Sequence, residues 1–417
     1  MSGAASVPSR LARRLGTADA VVVGLGSMIG AGIFAAFAPA ARAAGNGLLP
    51  GLAVAALVAY CNATSSAQLA ALSPESGGAY VYGRMRLSKL WGFLAGWAYV
   101  TGKLASCAAM ATTFGSYAAP SHARWLAVAA VVALTAVDYR GIEQTATVTR
   151  AIVATVLAAL AVVVAAVWLG GATDVGRLWP LADTTLYGVL QAAGFLFFAF
   201  AGYARVATLG EEVIDPKRTI PRAIPIALGI TLAIYAAVAV SALAGAGAPA
   251  LAASSAPLAT AVEAGRLAWL TPAVRLGASV ASLGVLLSLI AGVSRTVFAM
   301  AANRDLPAVL AAVHPRHRVP HRAELAVGAV VAVIAAVADI RSAIGFSSFA
   351  VLAYYAIANA AACTLAPHER RWPRALAGGG LLGCLLLAVT LPLESVAGGT
   401  ALLAAGVAAY LWKSRPS

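Results

Sequence analysis

Gly-Ser-Met-Ile-Gly-Ala-Gly-Ile-Phe, residues 26–34, is the stretch whose reading decides the fold. It lies inside a run from Ala20 to Ala41 that carries no charge for 22 residues. That is enough to cross the ~30 Å hydrocarbon core of a bilayer as a helix. Yet Gly24, Gly26, Gly30 and Gly32 crowd its middle, and Pro39 sits near its end. Glycines at that density weaken a helix and admit backbone conformations that other residues avoid. At membrane depth, irregular backbone is tolerated only inside protein or against a water-filled cavity. The stretch reads either as a broken span that builds a binding site, or as a span whose glycines let neighbouring helices approach closely.

Outward from this run, the whole chain has the same character. Of 417 residues, 61% are hydrophobic and 11% charged, where a soluble domain has about a quarter charged. Uncharged blocks of span length recur at 151–169, 184–204, 276–294, 342–366, 375–393 and 395–412, and 43–74 and 223–262 hold a span plus a loop. The chain is an all-α polytopic protein seated in a lipid bilayer. About twelve transmembrane helices are expected. The net charge of +14 does not indicate nucleic acid. With twelve spans and a cytosolic N-terminus, 20 of the 29 Lys and Arg fall in cytosolic segments and six in external ones (Arg42, Arg124, Arg177, Arg266, Arg275 and Arg341). That asymmetry is the positive-inside pattern. It places both termini in the cytosol and the protein in a cytoplasmic membrane. The first span is too long for the apolar core of a cleaved signal. Cys61, Cys107, Cys363 and Cys384 are far apart and read as small buried hydrophobes. No metal and no cofactor is expected. His314, His317 and His321, set among Arg and Pro, read as solvated.

Three basic residues fall within spans: Lys103, Arg205 and Arg295. Lys103 is at the centre of the third, about 90–117. On a helix it shares a face with Gly96, Tyr99, Ser106, Cys107 and Met110, which points into the bundle. A cation at that depth costs ~2.5–3.5 kcal/mol on insertion scales and marks a functional candidate. In the sixth span, Phe-Leu-Phe-Phe-Ala-Phe-Ala-Gly-Tyr-Ala-Arg, residues 195–205, again sets a glycine among aromatics and a charge. Spans 1 and 6 each open a group of five. Interrupted segments at corresponding places in two halves are the best sequence pointer to a transporter's binding site.

Together these stretches resemble the amino acid–polyamine–organocation (APC) family of secondary transporters. The residue 26–34 stretch looks like its first-span signature. Phe-Ala-Phe-Ala-Gly-Tyr, followed by Glu-Glu and Asp-Pro-Lys-Arg-Thr-Ile-Pro-Arg-Ala-Ile, looks like its sixth span and following loop. Ser-Arg-Thr-Val-Phe-Ala-Met-Ala-Ala-Asn-Arg-Asp-Leu-Pro resembles the end of its eighth. The resemblance implies a cytosolic tail (1–16), two inverted five-helix repeats (17–171 and 184–366) and two further spans (373–413). It implies alternating access to an amino acid, with proton coupling or exchange both open. The substrate carboxylate would meet backbone N–H groups from Gly30, Ala31, Gly32 and Ile33. The amino group would meet carbonyls of Met28 and Ile29 and of Phe198, Ala199, Phe200 and Ala201, with Phe200 or Tyr203 as the outer gate. The chain departs from the family pattern in two places. The lysine that several bacterial members carry in span 5 is replaced near Val156, which turns attention to Lys103 as the coupling group. Ala204 and Arg205 stand where many members have an acidic residue just after the sixth-span glycine–aromatic pair, which favours a neutral or acidic substrate. A channel or a substrate-sensing receptor on the same bundle is the alternative. An intramembrane enzyme finds no support, since no paired carboxylates or Ser/His pair falls within spans.

Overall fold

A computed structural model describes residues 16–73, 77–141, 146–179, 184–203 and 213–413. Arg205, Glu211, Glu212 and the N-terminal arginines lie outside these residues. Among the described residues the fold is helical throughout: α1 (Thr17–Met28), α2 (Gly32–Ala44), α3 (Leu48–Leu72), α4 (Ala79–Arg86), α5 (Lys89–Ala118), α6 (Ala123–Tyr139), α7 (Ala146–Leu169) and α8 (Leu186–Phe200). There follow α9 (Pro216–Ala253), α10 (Pro257–Glu263), α11 (Thr271–Ala302), α12 (His321–Val337), α13 (Ile340–Cys363), α14 (Arg374–Thr390) and α15 (Leu393–Lys413). Among the described residues, eight helical stretches are long and apolar enough to cross a membrane, and α1 and α14 are shorter apolar helices. The protein is a multi-pass membrane protein.

The helix ends follow local chemistry. Ser88, Thr185 and Asp339 accept N–H bonds from Trp91, Gly188 and Ser342, the ordinary side-chain cap of a helix start. Gly45, at φ +55°, ends α2, whose interior accommodates Pro39.

Small residues let helices approach to backbone contact. A Cβ at Gly83 would lie 3.0 Å from the Gly92 backbone, and one at Gly51 3.1 Å from the Val189 carbonyl. Lipid supplies no hydrophobic drive between helices, so such close packing and buried hydrogen bonds hold the bundle together. The Ser106 and Ser347 hydroxyls meet at 2.6 Å between α5 and α13. Tyr117 on α5 donates to the Phe34 carbonyl at 3.0 Å and accepts from the Leu258 N–H at 3.2 Å.

One end of the bundle is fastened by charge. Arg84 on α4 pairs with Asp305 at 2.9 Å, and Tyr80 donates to the same carboxylate at 2.7 Å. Arg86 grips Glu369 through bonds of 2.7 and 3.0 Å. Those bonds, with the Ala366 N–H, hold the Glu369 carboxyl down at about 2. The three histidines are not simply solvated. His314 and His317 lie 4.7 Å apart, and each of the three packs half-buried against Tyr139. The loop folds back on itself through the His314 N–H to Val319 carbonyl bond.

Candidate substrate site

The break in the first span is shorter than its glycines suggest. Gly24 and Gly26 stay helical, and α1 runs on to Met28. Ile29 then leaves the helix at φ −79°, ψ 72° while its N–H still reaches Leu25. The Gly30 N–H turns back to the Met28 carbonyl at 2.8 Å. Ala31 precedes α2, and its carbonyl accepts from Phe34 and Ala35. With alanine at that position no side chain caps the helix. Among the described residues no acceptor engages the N–H groups of Ala31, Gly32 and Ile33. Three donors at the positive end of a helix form a natural place for an anion. Gly30 differs from its expected role, since its N–H is already spent within the turn.

The second break closes on the first. α8 stops at Phe200, and one 3-10 turn follows over Ala201–Tyr203. A Cβ at Gly202 would run into the Ser27 carbonyl, and one at Gly32 would lie 2.9 Å from the Ala199 Cα. Backbone thus meets backbone at two points, and glycine is what permits it. A Cβ at Gly30 instead meets the end of the Val285 side chain on α11, at 2.5 Å.

The expected site residues Met28, Ile29, Ala31, Ile33, Ala199, Phe200, Ala201 and Tyr203 are all buried, and Gly32 and Phe198 are half-buried. Both gate candidates are fully buried. Phe200 lies 5.1 Å from the ring of Tyr235, and Tyr203 stacks on Tyr355 at 5.0 Å. Two tyrosines that the sequence reading did not single out complete the centre. The Tyr235 hydroxyl on α9 contacts the Met28 carbonyl at 2.5 Å and the Ala199 carbonyl at 3.1 Å. The Tyr355 hydroxyl on α13 donates to the Ala201 carbonyl at 3.1 Å. A tyrosine in the middle of the apolar run of α9 is the one signal that could have found Tyr235.

Lys103 is half-buried on α5. Its face does look into the bundle: a Cβ at Gly96 would lie 2.9 Å from the Met300 sulfur of α11, and the ring of Tyr99 lies 5.3 Å from Tyr354 of α13. Among the described residues no hydrogen bond or ion pair is made by its ammonium. Cys61, Cys107 and Cys384 are buried, and all four cysteines are free thiols.

Two helix ends meeting backbone to backbone, with donors and carbonyls presented inside an apolar bundle, mark the centre of this multi-pass helical membrane protein. The comparisons with known proteins supply the family. Residues 15–407 match the family described as "Amino acid permease", so the chain belongs to that family of APC transporters, which are not enzymes. It is 64% identical over 404 residues to an "Uncharacterized transporter" of Mycobacterium tuberculosis, across 97% of this chain and 92% of that one. It is 26% identical over 449 residues to a "Branched-chain amino acid permease" of Bacillus subtilis, across 99% and 95% of the two chains. It is also 29% identical over 379 residues to "Cationic amino acid transporter 4" of Homo sapiens, across 84% of this chain and 59% of that one.

Proposed function

We propose that the protein moves amino acids across the cytoplasmic membrane by alternating access. Twelve spans, the first ten as two inverted repeats of five, would place both termini in the cytosol. The observation that carries the reading is the juxtaposition of opposite polarities at the centre. The N–H groups of Ala31, Gly32 and Ile33 offer three donors, and the Met28 and Ala199 carbonyls converge within reach of one hydroxyl. An amino acid zwitterion carries a carboxylate for the first set and an ammonium for the second. Hydrogen bonds to charged groups contribute about 1.5–3 kcal/mol each, more than neutral solutes obtain from the same contacts.

Neutral or acidic side chains are the preferred class, because the sequence sets the cationic Arg205 two residues after Tyr203 and like charges repel strongly where screening is poor. Coupling to protons is assigned to Lys103, the one lysine at mid-span. A thermal-shift screen of the purified protein against all amino acids tests the substrate class, since ligands stabilise the folded state by mass action. Stabilisation by neutral or acidic amino acids is expected, and a preference for arginine or lysine contradicts the assignment. Uptake into proteoliposomes then tests the mechanism. Accumulation above the external concentration supports alternating access, and downhill flux alone supports a channel.

A further inference from the structure

Tyr235 makes a contact that the substrate reading did not require. Its side chain is fully buried, wedged by the Phe200 ring, and its hydroxyl sits between two carbonyls from different helices. A phenol has one proton to donate. Two backbone carbonyls at the breaks therefore share its one proton, and at 2.5 against 3.1 Å the Met28 carbonyl, which also accepts from the Gly30 N–H, holds the larger share. The Ala199 carbonyl receives the longer of the two contacts. A primary ammonium brings three donors and a full charge to the same point.

We propose that Tyr235 is a specificity-determining residue whose hydroxyl competes with the substrate's amino group for the Met28 and Ala199 carbonyls. This rests on the amino acid reading above. The hydroxyl ties the two breaks together, and an incoming ammonium displaces it by satisfying both carbonyls at once. A solute without an amine cannot supply those bonds and leaves the tie in place. The tyrosine thereby sets a threshold that only an amine-bearing solute passes.

The sign of the effect follows from which state loses the bond. Removing the hydroxyl takes its donor from both carbonyls in the ligand-free protein, leaving the Met28 carbonyl with the Gly30 N–H alone, while the ligand-bound protein is unaffected. Tyr235→Phe should therefore bind amino acids more tightly, not less, by about fivefold or more. The test measures dissociation constants and melting temperatures of wild type and Tyr235→Phe side by side, with the twenty standard L-amino acids as probes. The expected result is a lower melting temperature for the ligand-free variant, tighter binding of the best probes, and melting temperatures that converge at saturating ligand. A merely structural tyrosine would lower the melting temperature with and without ligand and leave the dissociation constant unchanged; that result overturns the proposal. So does weaker binding, which would mean that the hydroxyl contacts the substrate directly. If no amino acid binds either protein, the amino acid reading itself fails and takes this proposal with it. The substitution removes one oxygen, and a monodisperse elution profile matching wild type establishes that the variant is folded.

Discussion

The two breaks at the centre of the bundle are made differently. The first, at Ile29–Ala31, is glycine-flanked and ends in open donors, with alanine where a capping side chain could have stood. The second, at Ala201–Tyr203, is packed in aromatic rings, and the carbonyls on its approach are met by tyrosines from other helices. One break is left unsatisfied by its own sequence, and the other is satisfied by borrowed side chains. A backbone site needs both kinds, because donors kept open for a ligand must not be claimed locally. Carbonyls at the same depth, meanwhile, must be neutralised when no ligand holds them.

The largest effect is expected where the two breaks touch. Gly202→Leu drives a side chain into the Ser27 carbonyl, and the collision is with backbone, which cannot swing aside. Uptake should be lost while the protein still inserts, read by transport in proteoliposomes beside a size-exclusion profile. Gly32→Val should act in the same way through Ala199, so it tests break-to-break packing as well as ligand access. Gly30→Ala meets only the tip of Val285 and should retain more uptake than Gly32→Ala. The reverse order would show that backbone packing is not what these glycines protect.

Lys103 separates binding at the breaks from the force that drives transport. Lys103→Ala should keep counterflow exchange, while accumulation under an imposed pH gradient falls to the external concentration. Lys103→Arg should also fail to couple, because a guanidinium stays protonated. Undiminished accumulation by Lys103→Ala would make the residue structural.

A smaller change probes the borrowed side chains of the second break. Tyr355→Phe removes the donor to the Ala201 carbonyl and should lower stability by about 1–3 kcal/mol, measured by thermal unfolding. Equal stability would mean that water or another group fills the place.

The smallest effect is a control remote from both breaks. Arg86→Gln removes the partner that holds Glu369 below its ordinary value of 4.5, at about 2. The depressed value means that the pair's contribution is full above the ordinary carboxylate range and is lost as pH falls through about 2. Wild type should therefore keep this contribution from neutral pH down to the ordinary carboxylate value, and the variant should lack it throughout. Ligand affinity should not change. An altered affinity would tie this fastening to the breaks.

The helices and the first break were legible because their signals are local. Charge-free length announces a span, and clustered glycine announces an interruption within it. The extent of that interruption was not legible, since Gly24 and Gly26 are held helical by packing that the sequence does not display. The donors at Ala31–Ile33 followed from the break, but the use of the Gly30 N–H within the turn did not. Tyr235 and Tyr355 were missed for a clear reason. Their partners are backbone carbonyls 207 and 154 residues away, and a carbonyl has no letter in the sequence. The histidine cluster was misjudged for a related reason, because Tyr139, which shelters it, lies on another helix.

The distance between Tyr235 and Met28 also has a consequence for how the molecule is made. The ribosome adds the 207 residues that separate them in roughly 10–40 s at ~5–20 residues per second. Throughout that interval the Met28 carbonyl lacks the hydroxyl that ties the two breaks together, and a kink exposed to hydrocarbon is unfavourable. The segment should therefore enter the bilayer as one continuous helix and bend only after α9 has been synthesised. Chains arrested on the ribosome before and after residue 235, carrying a cysteine at Ile29, would report the change as a difference in labelling by a water-soluble thiol reagent.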